Sequence, residues 1–314
     1  MSRYRDGLPQ LGNGLFLSDS GLETTLIFQE GQTLPCFAAF TLLETSAGRD
    51  LLKRYFKRHL AIAVDHRMGF ILDTPTWRAS RDWAERLAIP EDRLGRLQEL
   101  SVELAEELRR EHETKDTPVV ISGVLGPRGD GYRPESIMHA DEARRYHLPQ
   151  IARFVETAAD MVSAMTITHT GEAIGMVQAA REAAIPISMS FTTEVDGHLP
   201  SGQDLGEAII ETDEATGGYA SYYMVNCAHP SHFLPELAAE ASWVRRIRGI
   251  RANASKLSHA ELDEAVDLDD GDPKELGEDY GLIRSLCPWI NILGGCCGTD
   301  VRHIRAISER VRRA

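Results

Sequence analysis

Short apolar segments alternate with longer amphipathic stretches along the whole chain. The short segments are rich in residues that favour strands, and Gly, Pro, Asn or Asp stands near most of their ends. Eight strands are predicted, at 14–19, 69–73, 118–124, 161–167, 186–192, 222–227, 246–253 and 289–295. Between them apolar residues recur with helical period, as in 49–66, 90–113, 141–160, 171–184 and 300–313.

This strand and helix order predicts a parallel sheet closed into a (β/α)8 TIM barrel, with residues 1–314 as a single domain. The alternation of strand and helix patterns is less regular in the third quarter of the chain. A helix has to come from 231–243, and an acidic stretch at 258–281 precedes the helical segment 282–286. An open doubly wound sheet is the alternative, but no Gly-rich turn of the dinucleotide-binding type follows a strand.

Composition limits the compartment and the partners. The chain has 48 acidic and 34 basic residues and a formal charge of −14, which repels nucleic acid and anionic membrane surfaces. No apolar run approaches the roughly 18 residues of a membrane span, and the first residues lack a hydrophobic signal core. The sequence therefore predicts a soluble cytoplasmic protein with neither nucleic-acid nor membrane partners. Five cysteines, an odd number, argue against a disulfide framework there.

TIM barrels carry their catalytic groups at the C-terminal ends of the strands. Asp19 there can bind substrate or hold loop amides, and Asn226 is placed to support its loop through hydrogen bonds. Trp77 and Tyr132 lie on predicted rim loops and are the aromatic candidates for contact with a methylated cation. The strand ends also carry Asp73, Glu194, Cys227, Asn253, Cys296 and Cys297.

Cys296 and Cys297 are adjacent, which raises the question of what two neighbouring thiols bind. Consecutive Cα atoms lie about 3.8 Å apart, whereas a relaxed disulfide needs about 4.4 to 6.8 Å, so a bond between them is disfavoured. In a closed barrel the sixth and eighth strands are separated by one strand, which allows Cys227 to meet this pair. Three thiolates with a fourth position left open suit a catalytic zinc ion. The neighbouring Gly294, Gly295 and Gly298 permit unusual backbone angles, and Thr299 or Asp300 can cap the next helix.

A zinc ion bound by three thiolates is a weak Lewis acid for water. It suits a substrate thiol better, since coordination lowers the thiol pKa while the sulfur stays nucleophilic. Such a sulfur can attack an electrophilic methyl group. The predicted chemistry is methyl transfer to sulfur.

Several segments resemble the homocysteine S-methyltransferase family over nearly the whole chain. The resemblance implies a zinc-dependent TIM barrel that moves a methyl group from a sulfonium or quaternary ammonium donor to a thiol such as homocysteine, a step of methionine biosynthesis. Both substrates would be small molecules, and assembly into a homo-oligomer stays open. The matching segments are "LSDSGLET" (17–24), "SGVLGPRGDGY" (122–132), 146–164, "VNC" (225–227) and "GGCCGTDVRHIRAI" (294–307).

Carried over residue by residue, the resemblance implies that Cys227, Cys296 and Cys297 bind the metal and that Asp19 and Asn226 are catalytic pocket residues. The family pattern has a glutamate at the end of the fourth strand, where it meets the amino group of homocysteine. Met165 takes that place here.

Methionine cannot pair with an ammonium group, and a lost charge-assisted hydrogen bond costs about 1.5 to 3 kcal/mol. Glu23, Asp73 or Glu194 then takes over this contact, or the acceptor is another thiol.

Other interpretations remain open at the level of sequence. A metal-dependent hydrolase would use the same barrel, although no His-x-His follows the first strand. A non-catalytic relative that binds zinc or thiols is a third class. Cys227 can instead enter a disulfide, or share a metal with His229 or His232. Cys36 and Cys287 are predicted to be buried structural residues.

Overall fold

The computed structural model is a closed barrel of eight parallel strands, in which β8 returns to pair with β1. It describes residues 1–133, 137–239, 241–265 and 267–312. The predicted (β/α)8 barrel is confirmed, and the doubly wound alternative is wrong. The strands are β1 (Phe16–Leu17), β2 (Gly69–Asp73), β3 (Val119–Leu125), β4 (Met161–Ile167), β5 (Ile187–Phe191), β6 (Tyr222–Asn226), β7 (Ile247–Ala252) and β8 (Ile292–Gly295).

Helices surround the barrel and follow the strands in the order that the sequence predicts. They are α1 (Leu22–Thr24), α2 (Ser46–His66), α3 (Arg81–Arg86), α4 (Glu91–His112), α5 (Ala140–Val155), α6 (Thr170–Glu182), α7 (Leu205–Thr216), α8 (Pro230–Leu237), α9 (His259–Glu264), α10 (Pro273–Leu286) and α11 (Val301–Arg312). Among the described residues, no helix has both the length and the apolar character that a membrane span requires.

Several elements are shorter than predicted, among them β8, which begins at Ile292 rather than at residue 289. Two of the differences have a cause in side-chain contacts. β1 contains only two residues, because the carbonyl oxygen of Gly14 accepts a hydrogen bond from the side-chain amide of Asn291 at 2.7 Å instead of pairing with a strand. α10 begins inside the acidic stretch rather than after it. Asp272 caps this helix by accepting from the amide of Lys274 at 2.8 Å, and Pro273 occupies the first helical turn, where its missing N–H costs nothing.

Strand alternation decides which side chains enter the barrel. On β7, Ile250 and Ala252 face the helices, while Gly249 faces the lumen, where a Cβ atom would collide with Met224. Arg251 therefore also points inward, at the C-terminal end. The lumen below it is filled by a separate apolar cluster that includes Phe16, Ile71, Val120, Met161, Met165, Tyr222 and Ile292.

The N-terminal segment closes the opposite end of the barrel. The amides of Arg3 and Tyr4 donate to Asp160 at 2.7 and 2.8 Å, and Arg109 pairs with the same buried carboxylate at 2.8 Å. Tyr4 and Leu8 pack against the lumen cluster. The C-terminal ends of the strands therefore form the open mouth of the barrel.

Candidate metal centre

Three thiols from two distant strand ends meet at this mouth. The sulfur atoms of Cys227, after β6, and of Cys296 and Cys297, after β8, lie within 4.8 Å of one another. Cys227 and Cys296 are joined as a disulfide with their Cα atoms 5.4 Å apart, and Cys297 is a free thiol. The convergence of the three cysteines agrees with their positions at the strand ends.

The loop that carries Cys227 is held in a left-handed turn. Cys227 has φ 55° although it is not glycine, a conformation that surrounding contacts have to enforce. Its carbonyl oxygen accepts from Asn253 at 3.0 Å and hydrogen-bonds the ring of His259 at 2.6 Å. These contacts hold the backbone so that the sulfur faces the neighbouring cysteines.

Asn226 connects three strand ends beside the thiols. Its side-chain oxygen accepts from the amide of Thr166 at 2.9 Å and from the hydroxyl of Ser190 at 2.6 Å. Its amide nitrogen donates to the Thr166 hydroxyl at 2.8 Å. Asn226 therefore positions the end of β6 against β4 and β5, as expected of a residue that supports a ligand loop.

The glycines around the cysteine pair serve two different purposes. Gly298 has φ 78° and forms the turn after Cys297. Gly294 and Gly295 instead lie in β8, where a Cβ atom would collide with the hydroxyls of Ser18 and Thr299. The expectation that all three provide unusual backbone angles is therefore wrong for these two, which allow close packing. Asp300 caps α11 by accepting from the amide of Arg302 at 2.8 Å.

The three thiols fit a tetrahedral metal ion. Thiolates bound to one zinc ion at about 2.3 Å lie roughly 4 Å apart, and the three sulfurs here lie within 4.8 Å of one another. Cys227 and Cys296 are bonded to each other, so metal entry requires this bond to be reduced. Burial raises the pKa of the Cys297 thiol to about 11, and the hydroxyl of Tyr132, 3.8 Å from its sulfur, opposes the shift. A cation is thus needed to keep Cys297 as a thiolate at neutral pH.

Arg251 lies beside the thiols and binds two buried carboxylates. Its guanidinium forms salt bridges to Asp19, at 2.7 Å, and to Asp73. Burial raises the pKa of Asp73 to about 6, although the charge of Arg251 opposes this shift. Asp19 also accepts from the hydroxyl of Tyr55 at 3.1 Å. Asp19 and Asp73, two of the carboxylates named by the sequence, are therefore already paired with a cation.

A cavity of about 550 Å³ opens above the thiols. Trp77 is fixed in its wall, because its indole N–H donates to the carbonyl of Met165 at 3.2 Å. Glu194 does not line the cavity, but its carboxylate lies 3.3 Å from the ring of the lining residue His259. The predicted site residues in the lining are Asp19, Glu23, Asp73, Trp77, Tyr132, Met165, Asn226 and the three cysteines.

The structure also tests the predictions for His229, His232, Cys36 and Cys287. His229 caps α8, where its ring accepts from the amide of Ser231 at 3.2 Å, and His232 hydrogen-bonds the carbonyl of Lys256 at 3.0 Å. Neither belongs to the cysteine cluster. Cys287 is buried as predicted. The prediction for Cys36 is wrong, since it is exposed on a turn with φ 55° at the cavity wall.

Comparison with known sequences identifies the family. The family model described as Homocysteine S-methyltransferase matches residues 16–311. The chain belongs to the homocysteine S-methyltransferase family.

Curated relatives and solved structures agree with this membership of the homocysteine S-methyltransferase family. Homocysteine S-methyltransferase YbgG of Bacillus subtilis (strain 168) is 24% identical over 84% of each chain. Homocysteine S-methyltransferase 1 of Arabidopsis thaliana is 23% identical over 96% of this chain and 94% of its own. The metallated form of homocysteine methyltransferase MmuM from Escherichia coli shares the fold with TM-score 0.73 and 17% identity, over 95% of this chain and 96% of that chain.

Family membership fixes the class of reaction. This homocysteine S-methyltransferase family member is a methyltransferase with a thiol acceptor and small-molecule substrates. The two arginines in the cavity lining, Arg78 and Arg251, were not identified from the sequence. Side chains along β7 alternate between the helices and the lumen, and this alternation would have indicated that Arg251 points into the barrel.

Replacing Glu23 with glutamine is expected to stabilise the reduced, metal-free protein at pH 8. Burial raises the pKa of Glu23 from 4.5 to about 7. Below about pH 4.5 the Glu23 carboxyl is protonated in both the folded and the unfolded protein, so it does not affect stability. Between pH 4.5 and 7 it ionises in the unfolded protein but not in the folded one, so the free energy of unfolding falls. Above pH 7 it is ionised in both, and the free energy of unfolding stays at the reduced value. Glutamine removes this penalty of about 3 kcal/mol.

Urea unfolding at pH 8 and pH 4.5 measures this effect, which should be present at the first pH and absent at the second. Glu30→Gln is the control, since Glu30 pairs with Arg58 at 3.1 Å outside the cavity. An equal gain at both pH values for Glu23→Gln would contradict the ionisation argument.

Proposed function

We propose that the protein is a zinc-dependent S-methyltransferase that moves a methyl group from a sulfonium or quaternary ammonium donor to homocysteine or a related thiol. The main observation in support of this proposal is the group of three cysteines, from two strand ends, at the base of the cavity. When bound, zinc would lower the pKa of a fourth sulfur and leave it nucleophilic. The cytoplasm suits this chemistry because it keeps thiols reduced.

The residues of the chain would orient two substrates. The acceptor sulfur attacks the methyl carbon of the donor in line, a new S–C bond forms, and the old bond breaks with its electron pair remaining on the donor heteroatom. The thiol proton leaves to solvent. Asn226 would hold the Cys227 loop through its contacts with Thr166, so that the cysteines stay directed at one point. Asp19 would hold Arg251 at the cavity wall and would itself be oriented by the hydroxyl of the buried Tyr55.

The aromatic wall would receive the onium group of the donor. Trp77 and Tyr132 line the cavity, and the hydroxyl of Tyr132 lies 3.8 Å from the sulfur of Cys297. Aromatic faces attract a methylated cation, more strongly once water is excluded. The donor methyl group would thereby be brought near the acceptor sulfur.

The three-cysteine set argues against the hydrolase alternative. Water activation favours histidine and carboxylate ligands, which leave zinc more acidic. In the described part of the chain, the cysteines are the group of three residues arranged to bind one ion.

The test is methyl transfer by protein purified under reductant with zinc. Metal analysis should give about one zinc per chain, and mass spectrometry should detect a methylated thiol with at least one sulfonium or quaternary ammonium donor. Zinc and thiol binding without a product from any donor would favour the non-catalytic relative. Hydrolysis of esters or lactones without a thiol would favour the hydrolase.

A further inference from the structure

The cavity contains several carboxylates, most of which already have partners. Asp19 and Asp73 bind Arg251. Asp130 accepts from the amide of Tyr132 at 2.7 Å. Asp269 accepts from the hydroxyl of Ser255 at 2.5 Å, and Asp267 is exposed.

Glu23 is different from these residues. It lies half-buried in the cavity wall, and among the described residues no side chain joins it in a hydrogen bond or salt bridge. A carboxylate held in this way is prepared for a cation supplied by a ligand.

Arg78 is the matching unpaired cation. It is 8% exposed and lines the cavity, with its guanidinium stacked between the rings of Trp77, at 4.1 Å, and Trp83, at 3.9 Å. One terminal nitrogen donates to the carbonyl of Gly129 at 2.7 Å, but the buried Nε atom has no acceptor. A planar guanidinium fixed between two rings, with an unused N–H group, suits a carboxylate.

Glu23 and Arg78 are neighbours without being paired. Burial raises the pKa of Glu23 and lowers the pKa of Arg78, and the two charges partly oppose these shifts, as Arg251 also does for Glu23 and Asp130 for Arg78. Both residues line the cavity, yet no salt bridge joins them in the described structure. Cys297 lines the same cavity as Glu23 and Arg78. The unpaired anion therefore lies near both the unpaired cation and the cysteine cluster.

We propose that Glu23 and Arg78 form an amino-acid subsite, in which Glu23 binds the α-ammonium group of the acceptor thiol and Arg78 binds its α-carboxylate. The inference rests on the proposed function and specifies its acceptor as an α-amino-acid thiol. Met165 cannot bind an ammonium group, and Asp19 and Asp73 share Arg251 as their cation. Among the cavity-lining carboxylates that the sequence named, Glu23 is therefore the one without a cation in the described structure.

Binding of three thiols to the reduced, zinc-loaded protein tests the subsite. Homocysteine carries both charged groups, 4-sulfanylbutanoate lacks the ammonium, and 3-aminopropane-1-thiol lacks the carboxylate. Calorimetry should show that Glu23→Gln weakens binding of homocysteine and of the aminothiol about 10- to 100-fold and leaves the sulfanylbutanoate nearly unchanged. Arg78→Met should weaken homocysteine and the sulfanylbutanoate by a similar factor and spare the aminothiol.

Controls separate this pattern from general damage. Glu30→Gln should leave all three affinities unchanged, and every variant should contain as much zinc as the parent protein. Arg78→Lys keeps the charge without the planar fork and should give an intermediate loss, which provides a second variant if Arg78→Met folds poorly.

Equal weakening of all three thiols by each variant, or no weakening, would overturn the subsite. A parent protein that binds and methylates all three thiols equally well would refute the subsite while the proposed function stands. A parent protein that neither binds nor methylates any thiol would refute both.

Discussion

Cys297→Ala is expected to lose bound zinc and methyl transfer together. The variant leaves two sulfurs, Cys227 and Cys296, which are already close enough to bond to each other. Two ligands bind zinc far more weakly than three, and these two can oxidise to a disulfide that excludes metal. We expect zinc content to fall from about one to below about 0.1 per chain and turnover to fall at least about 1000-fold.

Metal analysis after gel filtration and a methyl-transfer assay under reductant measure these losses. Cys36→Ala is the matched control, because Cys36 also lies in the cavity wall on a left-handed turn but outside the cluster of three. It should keep its zinc and most of its activity. Full methyl transfer by Cys297→Ala would show that the cysteine cluster does not activate the acceptor.

The fold was predictable because each strand of a parallel barrel is a local pattern. Strand β4 occupies the predicted residues 161–167, and β2 the predicted 69–73. Errors arose where a distant side chain competes for backbone groups, as Asn291 does at the start of β1. They also arose where charge obscured a helix, as in the acidic first half of α10.

The site was predictable where chemistry and topology coincide. Thiols are rare enough that three at strand ends indicate a common ligand, and barrel closure brings the ends of β6 and β8 together. Charge pairing across the lumen follows no local pattern. The partners of Arg251 are 232 and 178 residues away in sequence, so only the three-dimensional structure shows that Asp19 and Asp73 share one cation.

Arg251→Met is expected to destabilise the protein by about 3 to 5 kcal/mol at pH 8. Burial opposes the charge on Arg251, but Asp19 and Asp73 hold its pKa above the usual value. Methionine fills much of the same space and leaves two buried carboxylates without a cation. The loss should shrink as the pH falls toward 4, because Asp73, whose pKa burial raises to about 6, then becomes protonated and no longer needs the cation.

Urea unfolding at the two pH values measures this change, with Arg248→Met as the control on the same strand. Arg248 is only partly buried and donates to the carbonyl of Gly12 at 2.7 Å, so its loss should cost less than about 1 kcal/mol. Adding Asp73→Asn to Arg251→Met should recover part of the stability, since one of the two unpaired charges is removed. If the double variant were no more stable than Arg251→Met, and the cost of Arg251→Met did not depend on pH, Arg251 would contribute through packing rather than through charge. The carboxylates Asp19 and Asp73 would then be free to bind a substrate cation. Glu23 would no longer be the only one of these three carboxylates available for that contact.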